Sequence, residues 1–433
     1  LMLKNIDNTI YIKFLLLSFP LLLITGPLLP EIALGLILIL LVYKLFLKDI
    51  KVFYDNFLLG YLIFYIIIVI GSILSDHAIY SLKSTFFYFR FFFLIMATYY
   101  ILSLSKNFLP IFKNVLLIIF LILIADGYYQ YFFKENIIGL SNYNKYRVSS
   151  FFGKELIYGS YLARFFPFLI GLLILHHKSR MDKVVIYLII FLSISAIFIS
   201  GERTALMLSI MSLVIIIFLT NFFLKTKIYI FLVFIPLLTV LIYNNDYIKN
   251  KWHSTIFDTI ISSFNKKITY NDKEYNLILN EKYTAMTITA YKMFQDKPLV
   301  GHGVKTFRIK CKEDPYKLEI FDYFKTNGIN KRLNCSTHPH NTYIQLLSET
   351  GFLGFIFVFS YFISITYSLI VAFFKRKKNN LKNIFDFRVC VLSCIFINLF
   401  PLTTTGSFFN NWLSMIYFFP IGFLLFLNKN YKL

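Results

Sequence analysis

Between residues 335 and 354 the chain reads CSTHPHNTYIQLLSETGFLG, two histidines around a proline, an asparagine, and then Gln345 and Glu349 inside an apolar run. Asn341 is a favourable N-cap for a helix starting at Thr342, which sets His340 just before the positive end of the helix dipole. A positive end disfavours imidazolium, so a neutral His340 would keep a free nitrogen for a proton, as a general base requires. Asn341, Gln345 and Glu349 recur every four residues, and such a stripe must face the protein interior or a wet cavity rather than lipid. Gly351 and Gly354 would let another helix approach the same segment closely. The plainer reading is a capped helix with interfacial histidines. A third is a zinc site made by His338 and His340 with His302 and Glu349, although Pro339 constrains the pair and no second acidic cluster lies at ligand spacing. The general base is the leading reading. His338 would orient His340, contact phosphate or share the base role.

A base of this kind needs a leaving group to stabilise, and guanidinium suits a diphosphate because it is planar, permanently charged and bidentate. ISGERTALMLSI, 199–210, sets Arg203 at the mouth of a helix beside Glu202. GHGVKTFR, 301–308, offers Lys305 and Arg308 after a glycine turn, and YRVSSFFGKE, 146–155, offers Arg147 and Lys154. Arg90 and Arg164 lie inside apolar runs, where such residues line a functional interior or pair with a carboxylate such as Asp126. No nucleotide-binding glycine loop or nucleophile elbow appears.

The elements that must hold these residues are membrane helices. The 433 residues are 58% hydrophobic and 15% charged, with a mean hydropathy of +0.67, more apolar surface than a soluble chain of this size buries. Runs of roughly 17 to 25 apolar residues, enough to span about 30 Å of hydrocarbon, lie near 11–27, 29–47, 56–75, 82–104, 108–132, 156–176, 184–200, 204–222, 227–244, 343–374, 387–405 and 410–428. The expected fold is an all-α polytopic membrane protein of about 12 transmembrane helices. No run reads as a removable signal peptide, so the first helix is expected to stay. Lysines and arginines gather in alternate short loops, around 44–51, 106–113, 178–183, 225–227 and 375–382, which puts both termini in the cytoplasm by the positive-inside rule.

Three regions follow: helices 1–9 over residues 1–244, an outer region over 245–342, and helices 10–12 over 343–433. The outer region holds 16 Lys and Arg against 10 Asp and Glu, basic enough to meet an anionic ligand. Within it, YTAMTITAYKMFQDKPLVGHG, 283–303, has helical spacing before Pro298 and predicts a helix on the outer membrane face. Cys311 and Cys335 both fall there, where a disulfide can persist; Cys390 and Cys394, four apart in a helix, read as small packing residues. The net charge of +22 is that of a membrane protein's loops and does not imply nucleic acid.

HPHNTYIQLLSETGFLG resembles the signature of the O-antigen ligase and O-antigen polymerase superfamily: a His followed by Asn, Ser or Gln, then Gly and Gly at fixed spacing, here His340, Asn341, Gly351 and Gly354. SGERTA at 200–205, FFGKELIYGSYLAR at 151–164, KPLVGHGVKTFR at 297–308 and FPLTTTGSFFNN at 400–411 look similar in the same order. The resemblance implies a GT-C-like fold and a metal-independent, inverting glycosyltransferase without cofactor, in the bacterial inner membrane with a periplasmic active site. The donor would be a glycan on undecaprenyl diphosphate. His340 would deprotonate the acceptor hydroxyl, Arg203 would hold the departing diphosphate, and Arg308 is the choice for a second arginine, with Lys305 beside it. His338, Asn341, Gln345, Glu349, Arg147 and Arg90 are supporting candidates. A ligase would use a lipid A-core acceptor. A polymerase would extend another lipid-linked repeat, with a chain-length regulator as partner, and related enzymes modify protein. The rival of another class is a lipid-linked glycan transporter, against which stand the one-sided polar cluster and the lack of a repeat.

Overall fold

A computed structural model describes residues 8–47, 55–141, 147–223, 267–270, 273–276, 281–316, 334–376 and 381–431. The expected helix near 227–244 lies outside them. Helices α1 (Asn8–Leu22), α2 (Leu28–Phe46), α3 (Asn56–Ile73), α4 (Ala78–Thr85), α5 (Arg90–Leu104), α6 (Phe108–Phe133), α7 (Tyr158–His176), α8 (Arg180–Ile199) and α9 (Arg203–Leu219) precede a short β-ribbon, Lys267–Tyr270 against Lys273–Asn276. Then come α10 (Glu281–Asp296), α11 (Phe307–Lys310), α12 (Thr342–Lys375), α13 (Lys382–Asn398) and α14 (Asn411–Asn430). Among the described residues eight helices are long and apolar enough to cross a membrane, so the chain is an all-α multi-pass membrane protein. A 3₁₀ turn, Phe86–Phe89, joins α4 to α5 within one of those spans.

The bundle centres on α7 and α14, the most enclosed of the spans. Helix α7 packs against α13, α9 and α8, while α14 packs against α5. Gly171 permits the α7–α13 approach: a Cβ there would meet the Cβ of Cys390 at 2.6 Å. Cys390 and Cys394 are buried in that packing. Aromatic rings fill the bundle and also anchor a loop. Phe408 lies 6.4 Å from Phe64 and 5.5 Å from Tyr417, and Phe409 lies 5.5 Å from Tyr88, centroid to centroid. The 400–410 loop is thereby fixed between α3, the 3₁₀ turn and α14.

Helix α12 has 34 residues, about 51 Å at 1.5 Å each, more than the hydrocarbon needs. It is broken at Gly351, with φ 64° and ψ −166°, a region that only glycine occupies readily. The break separates a polar first stretch, 342–350, from an apolar remainder long enough to span by itself. What packs on Gly351 is therefore not the second helix that the sequence suggested but a turn: a Cβ there would lie 2.3 Å from the carbonyl oxygen of Leu299. Gly351→Ala is expected to cost about 3 kcal/mol or more, from strain and clash together. Gly35→Ala, facing open space inside α2, should leave the thermal midpoint of the detergent-solubilised protein unchanged or slightly raised.

Candidate active site

The break in α12 orphans backbone groups, and the loop 298–303 takes up four of them. The amides of Phe352 and Leu353 donate to the carbonyls of Pro298 (2.7 Å) and Leu299 (3.2 Å). His302 and Gly303 donate to the carbonyls of Ser348 (3.1 Å) and Glu349 (2.9 Å). These are the partners that an unbroken helix would have used within itself. Side chains extend the splice. The fully buried Glu349 carboxylate accepts from the amides of Lys305 (3.0 Å) and Phe307 (3.2 Å) and from Gln345 Nε2 (2.9 Å). Gln345 also donates to Ser407 Oγ (2.8 Å) and accepts from the Phe408 amide (2.9 Å). The polar stripe faces the protein, where it ties the GHGVKTFR loop and the 400–410 loop to one helix.

His338 and His340 sit where those loops meet. Asn341 caps α12, its Oδ1 accepting from Tyr343 (3.0 Å) and Ile344 (3.1 Å), and its Nδ2 donates to the Pro401 carbonyl at 2.7 Å. His340 adopts φ 58°, an uncommon conformation for a side-chain-bearing residue, and its carbonyl accepts from the Thr405 amide at 2.9 Å. The two imidazoles stand 4.2 Å apart, centroid to centroid.

They differ in what their nitrogens do. His338 Nε2 faces the Thr405 carbonyl at 3.0 Å, so this nitrogen carries the proton; Nδ1 then accepts from Thr337 Oγ1 at 2.8 Å. Both nitrogens are occupied. Burial, the neighbouring His340 and, more weakly, Arg308 push the His338 imidazole down to about 4. His340 is half-buried, and burial with Lys282 nearby holds it below the ordinary histidine range. Its Nε2 lies 3.2 Å from Ser336 Oγ, and Nδ1 has no protein partner among the described residues. The edge of Tyr283 packs against its ring at 5.6 Å. Because the unfolded state binds a proton to His338 between pH 6.5 and about 4 while the folded state does not, stability falls as pH drops through that window. The thermal midpoint should follow, and His338→Gln should flatten part of the fall.

Cationic groups surround this pair. Arg308, on α11, has a buried Nε with no hydrogen-bond partner among the described residues, and its charge reaches His338, Lys305 and Glu349. Arg203 is exposed at the start of α9. Its neighbour Thr204 meets Thr404 at 3.1 Å between hydroxyl oxygens, one residue from the Thr405 that holds both histidines. Chain geometry then keeps the Cα atoms of Arg203 and His340 within about 22 Å. Glu202 is not an ion-pair partner for Arg203. It caps α7, accepting from the amides of Gly159 (2.7 Å) and Ser160 (3.1 Å) and from Ser160 Oγ (2.6 Å). Arg147 donates to the Leu156 carbonyl at 3.3 Å, and its charge reaches Glu202.

Several sequence expectations need correction. Arg90 does pair with a carboxylate, but that of Glu31 at 3.2 Å, while Asp126 accepts from Ser150 Oγ and the Ile137 amide. Arg164 pairs with the Asn398 side-chain carbonyl. Helix α10 ends at Asp296, and its apolar face is covered by protein, since Met286, Ala290 and Met293 pack with Phe307, Cys311 and Tyr316. The zinc constellation does not assemble: His302 Nε2 faces the Met293 carbonyl at 2.9 Å, Glu349 is turned to amides, and no group of three potential ligands occurs among the described residues. Cys311 and Cys335 form a disulfide that joins the end of α11 to the stretch leading into His338.

The sequence alone did not single out Ser336, Thr405 or the Thr204–Thr404 contact. The only signal for the threonines was their place in SGERTA for Thr204 and in FPLTTTGSFFNN for Thr404 and Thr405, since contacts across some 65 to 200 residues leave no periodic trace.

Residues 188–359 match the family model described as O-antigen ligase. That stretch contains α9, the GHGVKTFR loop, both histidines and the break in α12, and the match implies a glycosyltransferase-like enzyme acting on lipid-linked glycan and acceptor substrates in general. A comparison with curated proteins gives no match.

Proposed function

We propose, from the match of residues 188–359 to the O-antigen ligase family model, an inverting, metal-independent glycosyltransferase that moves a glycan from undecaprenyl diphosphate to an acceptor hydroxyl. His340 takes the hydroxyl proton as the acceptor oxygen attacks the anomeric carbon; the bond from that carbon to the diphosphate oxygen breaks, and its electron pair leaves with the diphosphate. Arg308 and Arg203 hold that departing charge. The proton on His340 then passes to solvent. His338 is a positioning residue, because both of its nitrogens are engaged and its ring packs on His340. The observation that carries this reading is a half-buried histidine, disfavoured as imidazolium, with one nitrogen unclaimed by the described residues and the charge of Arg308 nearby.

The ligase reaction, onto a lipid A-core sugar, is the preferred form; polymerisation of lipid-linked repeats is the alternative, with a chain-length regulator as its partner. The site lies on the periplasmic face of a bacterial inner membrane, with residues 245–342 outside and both termini cytoplasmic, as the loop lysines favour. Purified protein in liposomes with a lipid-diphosphate glycan tests the reading. Transfer that persists in a chelator and disappears in His340→Ala supports it, while glycan movement across the bilayer without transfer overturns it. One glycan block per acceptor marks a ligase and a ladder marks a polymerase.

A further inference from the structure

His340 is held by its backbone, by ring packing and by a hydroxyl, and only the hydroxyl tells its nitrogens apart. The backbone, at φ 58°, is pinned by the Thr405 amide on the residue 340 carbonyl. Two rings pack on the imidazole, His338 at 4.2 Å and 51° and Tyr283 at 5.6 Å and 87°. Such packing sets the plane of the ring. The outer torsion of a histidine is nonetheless broad and roughly two-fold, and turning the ring over exchanges each nitrogen for a carbon. The contact that separates the two orientations is Ser336 Oγ, 3.2 Å from Nε2.

A hydroxyl can donate or accept, and the neighbouring histidine shows which choice leaves a base. In His338 a backbone carbonyl holds Nε2 and forces the proton there, so Thr337 donates to Nδ1 and no lone pair remains. His340 faces no such carbonyl among the described residues. With Ser336 accepting, Nε2 carries the proton and the lone pair of Nδ1 is open. With Ser336 donating, the lone pair of Nε2 is spent and Nδ1 carries a hydrogen. Only the first arrangement puts the free lone pair on the nitrogen that the described residues leave unclaimed.

The surroundings suit a neutral partner. The charges that act on the two rings come from Lys282 on α10 and Arg308 on α11; Tyr283 presents a ring edge, and the 400–410 loop has no titratable side chain. No carboxylate is among them, and one placed here would repel a departing diphosphate. Ser336 is also anchored from a different side than His340. The buried Asn334 reaches the carbonyls of Cys311 (3.2 Å) and Tyr316 (3.0 Å) through Nδ2, and Cys335 is bonded to Cys311. Residues 334–336 are thereby held to the end of α11, whereas residues 340 and 341 are held to the 400–410 loop.

We propose that Ser336 is the positioning residue of the base: its Oγ accepts from His340 Nε2–H and turns the bare Nδ1 toward the acceptor hydroxyl. The proposal rests on the general-base reading of His340.

NMR of the full chain with ¹⁵N-labelled histidine reads the tautomer directly, the His340 signals being those lost in His340→Gln. They are expected to show a protonated Nε2 and a bare Nδ1 at neutral pH; the opposite tautomer overturns the proposal whether or not transfer is measured. In Ser336→Ala, kcat should fall about three- to tenfold, the share of aligned rings that one net hydrogen bond governs, with KM and the thermal midpoint nearly unchanged. Ser336→Thr keeps the hydroxyl and should restore most of the loss. Ser336→Asp, an acceptor when ionised, should keep kcat, raise KM for the donor and move the acid-side decline up by about one pH unit, since an adjacent carboxylate favours imidazolium. A kcat loss in Ser336→Asp as large as in Ser336→Ala overturns the accepting role. In the His340→Gln background Ser336→Ala should change nothing further, because it acts through that ring, and an added loss there overturns the proposal. If His340→Gln leaves transfer intact, the base reading fails and this proposal with it; if His340→Gln slows transfer while Ser336→Ala does not, the positioning role alone fails.

Discussion

Replacing His340 with glutamine is expected to slow glycan transfer by about 10²- to 10⁴-fold, the usual contribution of a positioned general base, while leaving the thermal midpoint nearly unchanged. Glutamine fills a similar volume and can keep a hydrogen bond to Ser336, and the backbone contact from Thr405 to the residue 340 carbonyl does not depend on the side chain. What it cannot do is accept a proton near neutral pH. The loss should fall on kcat rather than KM, because the hydroxyl proton moves only in the transition state. The pH profile carries a second expectation with a definite sign. The base works when neutral, and burial with Lys282 sets its pKa below the ordinary 6.5. The acid-side decline of activity should therefore fall at a lower pH than an ordinary histidine base would give. In Lys282→Ala the decline should begin at a slightly higher pH.

Glu349→Leu is expected to lose both fold and function. Its carboxylate accepts from the Lys305 and Phe307 amides and from Gln345, and leucine would leave those donors buried without partners. At about 1 to 3 kcal/mol for each unmet group, the sum rivals the stability of an ordinary domain. Glu349→Gln preserves the shape and one acceptor oxygen, so it should retain the fold with a smaller loss. The functional consequence runs through position: Lys305 and Arg308 sit on the segment that Glu349 holds to α12, so the glutamine variant should weaken donor binding more than it slows the chemical step. Thermal melts with steady-state kinetics would separate these effects; a Glu349→Leu protein as stable as the parent would contradict the splice as the element that holds the loop.

Much of the fold is written in hydropathy. Apart from 227–244, every segment expected to span has a helix at its place, although the helices expected over 11–27 and 387–405 end at Leu22 and Asn398, because apolar residues in lipid have few other ways to satisfy their backbone. The departures share one cause, contact between parts distant in sequence. Gly351 and Gly354 looked like a seam for a second helix, and spacing carries no information that Leu299 and Val300 insert there instead. Arg90 was expected to line an interior or pair with a carboxylate, with Asp126 as the example, and the carboxylate it finds is Glu31, 59 residues away. Glu202 was read only as the neighbour of Arg203, whereas its oxygens cap a helix some forty residues earlier. At the candidate site, the sequence could bring forward His338, His340 and Asn341 because their roles are local to one turn. It could not bring forward Thr405, whose amide and carbonyl hold both histidines from another loop.

The central claim is a displacement at an anomeric carbon that expels a lipid diphosphate, with His340 as the base. It is tested most directly by a single turnover of purified protein with a defined prenyl-diphosphate-linked glycan, reading the released lipid and the anomeric configuration of the new bond together. The account predicts one prenyl diphosphate released for each bond formed, with the configuration inverted. A retained configuration, or release of the lipid as a monophosphate, would contradict it.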